Sequence, residues 1–397
     1  MPPAEAERPR ARIDLIDVAR GAGMLLVFLS HFLEAYYHTF PEPRPQAYKL
    51  LTRIATPAFM CVSGLTLAVL FDRNRDRFAP TRDRLIDRGL FLVLIGHPLF
   101  VLSYYFTQDG SLGDTLRVVF VTDAIGFSVI AGSLLIARVG ARARLALGLA
   151  LLAIAWVAIA VWTPPIPSTA WRLKDFLVGE WREPWLSYNF PPIPWFGLYL
   201  VASAAGAVFA RAYREGNERT LPRRAALLGV GLLLAAVVVH FALRALASAT
   251  SLAPIHTGAL DHFASPLEKL PPSPVFLLTY VGFTALLLAA LMLSGRGRFG
   301  RTFAWYVLPF GRNSLPAFVM QSYVYFVAVL LLPRPPQVLL PFYFLATVIV
   351  LRAAVLFWER KKLNRFLTVG LPGLLRRYSG VRPVAQTPPP EAQRPLS

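Results

Sequence analysis

Apolar stretches of about 20 residues, the length that crosses a hydrocarbon layer, recur at 15–37, 51–71, 87–106, 115–137, 145–163, 192–212, 225–247, 274–294, 313–332 and 338–358. The pattern predicts about ten transmembrane helices. Polar residues collect in the connections, and the connections alternate in kind. One set (1–14, 72–88, 138–144, 211–224, 295–301 and 359–365) holds 24 Lys and Arg. The other holds seven: Arg44, Lys49, Arg172, Lys174, Arg182, Lys269 and Arg334. By the positive-inside rule the basic set is cytoplasmic, which puts both termini there. Trp162 and Trp195 fall at predicted outer ends and Trp305 and Trp358 at inner ends, where interfacial anchors belong. The expected fold is an all-α polytopic membrane helix bundle. A short cytoplasmic segment (1–14) precedes a transmembrane domain (15–365), and a basic, Pro-rich cytoplasmic tail (366–397) is expected to be disordered.

Two outer connections are long. In 164–191 the stretch WRLKDFLVGEWREPWLSY reads as an amphipathic piece lying on the membrane. The connection 248–273 carries His256, Asp261 and His262. No internal repeat is visible, since the first span and PWFGLYLVASAAGAVFA share no pattern.

Composition agrees with the spans. The 397 residues are 55% hydrophobic and only 16% charged, against about 25% charged in soluble domains. A net charge of +19 raises the question of nucleic acid. The basic residues sit in short clusters between apolar runs rather than on one soluble domain, which argues against it. The single cysteine, Cys61, lies in an apolar stretch and excludes an intrachain disulfide and a zinc cluster of cysteines. The first apolar run carries Arg20 and His31 and is long enough to span, so it is not a cleavable signal.

That first run, RGAGMLLVFLSHF, poses the main chemical question. Eleven helical steps of about 100° bring Arg20 and His31 to one face, about 16 Å apart along the axis. Asp17 stands at i,i+3 spacing from Arg20. Two readings follow: a rim ion pair plus a histidine tied to a neighbouring helix, or a functional stripe facing the bundle interior. His97 and Asp123 fall within the third and fourth spans, where they can pair, orient His31 or tie helices together. Arg53, Arg117 and Arg244 at outer ends suit snorkelling to headgroups or contact with an acidic sugar. Arg312, Asn313 and Ser314 precede Pro316, so free donors gather at a broken helix start. Trp171, Trp181, Trp185 and Tyr188 suit interfacial anchoring or stacking on a sugar ring.

The stretch RIDLIDVARGAGMLLVFLSHF resembles the first span of membrane acyltransferases of the acyltransferase-3 type and of the related heparan-α-glucosaminide N-acetyltransferase-like proteins. The acyltransferase-3 group carries an Arg, ten residues, then a His in that span, and Arg20 and His31 match. TRIATPAFMCVSGLTLAVL resembles the second span through Phe59, Ser63 and Gly64. NFPPIPWFGLYLVASAAG is similar to a later Pro-Trp-Phe-Gly entry, and GRNSLPAFVMQSYVYF to the late Gly-Arg-Asn-Ser-Leu segment. The resemblance implies transfer of an acyl group, acetyl first among candidates, from cytoplasmic acyl-CoA to a hydroxyl or amino group of a glycan or lipid-linked sugar at the outer face. His31 is then the general base, with Arg20 and Asp17 beside the donor or holding the helices. Arg82, Arg84, Arg88, Arg312, Asn313 and Ser314 are candidates for the donor's phosphates, and Asp123, Trp195 and Gln321 for the acceptor. No metal is implied, and the setting is a lipid bilayer, a bacterial inner membrane by the family's distribution.

Two departures stand out. Gln321 occupies the place where a second His often ends the late segment, and Gln cannot exchange protons near neutral pH. Arg84 and Arg88 are four apart, where the acyltransferase-3 group tends to have two Arg three apart. The competing reading is a transporter or flippase for a small anion or lipid-linked sugar, which polar interior faces also fit, although carriers more often show inverted halves with paired broken helices. A third is an assembly role without catalysis.

Overall fold

The computed structural model describes residues 14–37, 52–105, 111–186, 189–249, 253–295, 297–328 and 336–372. The N-terminal Arg8, Arg10 and Arg12, the outer Arg44, Lys49 and Arg334, Tyr188, and the tail from 373 onward lie outside the described residues. Among the described residues, nine helices are long and apolar enough to cross a membrane, and the elements are helical throughout. The protein is an integral membrane helix bundle.

The chain runs through α1 (Asp14–Tyr37), α2 (Ala55–Arg73) and α3 (Phe78–Phe91). A π-helical turn, Leu92–Gly96, joins α3 to α4 (His97–Tyr105). Then come α5 (Leu112–Arg117), α6 (Val121–Leu135), α7 (Ala141–Val161) and the short α8 (Thr169–Leu177). The second half holds α9 (Pro192–Arg214), α10 (Leu221–Ala249), α11 (Pro254–Ala264) and α12 (Pro274–Ser294). It closes with α13 (Arg298–Arg312), α14 (Ser314–Ser322) and α15 (Leu340–Arg360).

Three elements differ from the hydrophobic pattern. Residues 75–88, read as a basic loop, continue the third span as one helical segment, Arg75–Tyr105. The fourth span is broken at 118–120, where Asp123 Oδ2 accepts the Phe120 N–H at 2.8 Å and starts α6 afresh. The ninth predicted span, 313–332, runs as α14 and a π-helical turn at Tyr323–Val327, and its described part is shorter than a full crossing. Irregular backbone at membrane depth is tolerated where it is buried in protein or lines a cavity, and both the α6 start and the α14 start line one.

Packing explains where that cavity lies. One apolar cluster joins α2, α6, α9 and α12 through Met60, Leu67, Ala124, Tyr199, Leu200 and Phe276. A second joins α1 with α13 to α15 through Met24, Phe28, Phe310, Ala317, Tyr325 and Val355. Between α1 and α13 two glycines permit close crossing: a Cβ on Gly21 would strike the Val307 carbonyl, and one on Gly311 the Asp17 carbonyl. This contact brings the end of α13 and the start of α14 against the first turns of α1.

The outer connection 164–191 folds inward rather than lying on the membrane. Lys174 and Glu180 are fully buried and pair at 3.1 Å, and Arg182 closes on Glu180 at 2.7 Å. Buried charges require such partners, which is why this amphipathic piece cannot face lipid. Trp195 likewise is not an interfacial anchor: α9 enters the bundle at Pro192 and buries the indole completely. Past α15 the chain turns back, and the Val369 and Leu371 N–H groups donate to Asp87 Oδ1 at 3.2 and 2.9 Å. The first residues assigned to the tail by composition therefore dock on the bundle.

Candidate active site

A cavity of about 630 Å³ lies between α1, α2, α3, α6 and the start of α14. Its wall on α2 is formed by Thr56, Phe59, Ser63, Thr66, Leu70 and Arg73. Their spacing alternates three and four, so they share one helical face. At about 1.5 Å per residue, the lined stretch from Ala55 to Arg73 is roughly 27 Å long, close to the thickness of a hydrocarbon core, about 30 Å. This is a transmembrane passage of ligand-site volume.

One end is strongly basic. Arg20, Arg73, Arg88 and Arg312 line it, and Asp17 is the only carboxylate among the described lining residues. Arg20 Nη2 donates to Ser314 Oγ at 2.6 Å, and Asp17 stands 3.9 Å from Arg20. Asn313 Nδ2 donates to the Pro309 carbonyl at 3.0 Å and to Glu359 Oε2 at 3.3 Å. Asn364 Nδ2 donates to Asn313 Oδ1 at 2.7 Å, and Arg312 lies 4.0 Å from Glu359. The structure thus brings Asp17, Arg20, Arg88, Arg312, Asn313 and Ser314 together. Arg82 and Arg84 stay outside the cavity: Arg82 pairs with Asp83 at 3.0 Å and Arg84 Nε donates to the Pro80 carbonyl at 3.1 Å.

The middle of the passage carries hydroxyls: Thr56, Ser63, Thr66, Thr122 and Tyr199. Thr122 Oγ1 is buried with no hydrogen-bond partner among the described residues. A buried hydroxyl without a partner is costly, so this one is available to a bound ligand.

His31 lies past the other end, one turn beyond the lining residue Val27. Its Nδ1 is 2.9 Å from Gln321 Oε1. Ser322 Oγ donates to the Phe318 carbonyl at 3.1 Å and accepts Gln321 Nε2 at 3.0 Å. This relay fixes the amide, so Oε1 faces the histidine and Nδ1 carries the hydrogen; Nε2 keeps its lone pair. The ring is half-buried between Phe318 (centroids 5.8 Å apart) and Phe326 (5.4 Å). Phe318 also lines the cavity, so it stands between the passage and His31. Glu34 and Lys269 act electrostatically on the same ring. Lys269, in the loop before α12, is pushed down to about 8 by burial; Glu34 opposes the shift and Arg53 adds to it. Its ammonium sits 4.9 Å from the centre of the Phe190 ring.

Other candidates fall elsewhere. Asp123 pairs with His97 (Oδ2 to Nδ1, 2.8 Å), and His97 Nε2 is 3.3 Å from the Leu116 carbonyl. Both ring nitrogens face acceptors, an arrangement the imidazolium satisfies. The pair ties α4 to α6 and does not reach His31. Trp195 stays off the cavity, with its Nε1 unpartnered among the described residues. Of the three acceptor candidates, Gln321 alone touches His31. Arg73, Asn364 and the hydroxyl stripe on α2 escaped the reading of the sequence, although the three-four spacing of Thr56, Phe59, Ser63 and Thr66 was visible in it.

Fold and cavity define an integral membrane protein with a buried, polar, transmembrane ligand site. The family model described as heparan-alpha-glucosaminide N-acetyltransferase, catalytic, matches residues 12–234, more than half of the chain. The protein belongs to that family and is an enzyme of the acetyltransferase type. The match takes in α1 through part of α10, so Arg20, Arg88 and His31 fall inside it and Ser314 and Gln321 beyond it. No curated protein matches the chain.

Proposed function

We propose that the protein transfers an acetyl group from cytoplasmic acetyl-CoA to an amino or hydroxyl group of a glycan or lipid-linked sugar at the outer face, with His31 as general base. The observation that carries this reading is the polarity of one passage: four arginines at one end, and the imidazole of His31 just beyond the other. The arginine end is the cytoplasmic one if the basic connections obey the positive-inside rule. There Arg20, Arg73, Arg88 and Arg312 suit the donor's phosphates, which guanidinium groups bind through charge-assisted hydrogen bonds. A thioester arm reaching along the passage toward Phe318 meets an acceptor entering from the opposite face.

The transfer step balances without further reactants. The acceptor nitrogen or oxygen bonds to the thioester carbonyl carbon as its proton passes to His31 Nε2. The C–S bond breaks, and the CoA thiolate takes the proton back from the imidazolium. Products are the acetylated acceptor and CoA. Gln321 is a positioning residue, since its Oε1 holds Nδ1–H and leaves Nε2 for the proton. The family's name favours an amino sugar, and the family's chemistry favours transfer over transport. We assign the protein to a bacterial inner membrane on the family's distribution.

The test is CoA release from acetyl-CoA by the purified protein in lipid, with separate pools of glucosamine-containing and neutral glycans. Acceptor-dependent release that is lost in a folded His31→Ala variant is expected. Release unchanged by His31→Ala overturns the mechanism.

A further inference from the structure

We infer that Phe318 sets the length of the acyl chain the enzyme transfers, restricting it to the shortest groups; this rests on the acyltransferase reading above. Phe318 is the described residue that both lines the passage and packs on the His31 ring. A thioester carbonyl delivered to His31 must therefore come to rest against this phenyl ring. The ring cannot easily step aside. It meets Phe100 edge-on at 4.9 Å, and Phe100 is 1% exposed. Its own backbone carbonyl receives the Ser322 hydroxyl of the Gln321 relay, so the ring and the His31 tautomer are fixed by one turn of α14.

The surroundings offer a chain no other exit. On the passage side the wall is completed by Val27 and Phe59, and Phe59 is itself backed by Gly23, where a Cβ would lie 3.3 Å from the ring. On the far side of His31 stands Phe326, stacked within 4.5 Å of Tyr104. A methyl group beyond the carbonyl fits beside such a wall. Each added methylene competes with the phenyl ring for the same volume, and overpacking of a closed apolar site is unfavourable.

The test is the acyl-CoA profile of the full-length protein in lipid, measured as CoA release with the glycan pools, for acetyl-, butyryl- and hexanoyl-CoA. Wild type is compared with Phe318→Ala and Phe318→Leu. Wild type should prefer acetyl-CoA. In Phe318→Ala the ratio of hexanoyl to acetyl kcat/KM should rise by about tenfold or more, the scale on which an apolar pocket discriminates single methylenes, and Phe318→Leu should fall between. An active wild type whose profile is shared by the folded variants overturns the inference and leaves the acyltransferase reading standing. So does a wild type that uses hexanoyl-CoA as well as acetyl-CoA. If Phe318→Ala does not fold, an unchanged ratio in Phe318→Leu overturns the inference by itself. A folded wild type silent toward every acyl-CoA and pool overturns the acyltransferase reading, and the inference with it.

Discussion

His31 Nδ1 and Gln321 Oε1 meet at 2.9 Å across 290 residues of chain, joining α1 to α14. The glutamine that seemed to weaken a proton-transfer mechanism is the group that orients the histidine. Gln321→Leu should therefore keep the base but lose its fixed tautomer. One hydrogen bond contributes about 0.5–1.5 kcal/mol, so kcat should fall roughly 2- to 10-fold with little change in KM for acetyl-CoA. His31→Ala should cost about 10²- to 10⁴-fold, the usual scale of general-base catalysis. Steady-state CoA release separates the two, and a larger loss in Gln321→Leu than in His31→Ala would reverse the roles assigned here.

The cavity divides the arginines that the sequence could only list together. Arg20, Arg88 and Arg312 line it, whereas Arg82 and Arg84 do not. Each alanine variant of the first group should raise KM for acetyl-CoA by about 10- to 100-fold, since a hydrogen bond to a charged group is worth roughly 1.5–3 kcal/mol. Arg82→Ala and Arg84→Ala should leave KM within about twofold, as screened surface charges do. Equal effects in both groups would mean that the donor binds outside the cavity.

The sequence made the membrane bundle legible because apolar length is a one-dimensional signal, and Arg20 and His31 stood out because charge is rare inside such spans. The break at 118–120 was hidden, because Val118, Val119 and Phe120 are as apolar as the helix they interrupt. Only the capping carboxylate of Asp123 ends the continuity. Arg73 and Asn364 were missed for another reason. Each acquires its place at the cavity from the packing of distant helices, which no local spacing records. Trp195 misled because its flanking prolines look the same at an interface as at a buried helix start.

Close crossing of α1 and α13 positions the basic end, and it depends on missing side chains. Gly311→Ala would drive a methyl group into the Asp17 carbonyl. Overpacking of this kind costs about 1–3 kcal/mol, and here it also pushes Ser314 away from Arg20. The variant should melt at lower temperature and bind acetyl-CoA more weakly. Gly140→Ala is the matched control, since a Cβ there meets nothing within 4 Å. Equal melting of the two variants would show that α13 has room to move.

Lys269 gives the fold a pH signature outside the membrane spans. Burial holds its ammonium at about 8, against an ordinary value of 10.5. Between about pH 8 and 10.5 the unfolded chain therefore binds more protons at this site than the folded protein does. Stability from this group rises with pH through that window, and the cost of the buried charge is fully present below about pH 8. Lys269→Met keeps an apolar stem and removes the titration. Melting temperatures of wild type and Lys269→Met, taken in the same detergent from pH 7 to pH 10, should show wild type gaining on the variant as the pH rises. Glu34 opposes the shift in Lys269, so Glu34→Gln should start the gain at a lower pH. A difference between wild type and Lys269→Met that stays constant across the range would place the ammonium in water and detach it from His31.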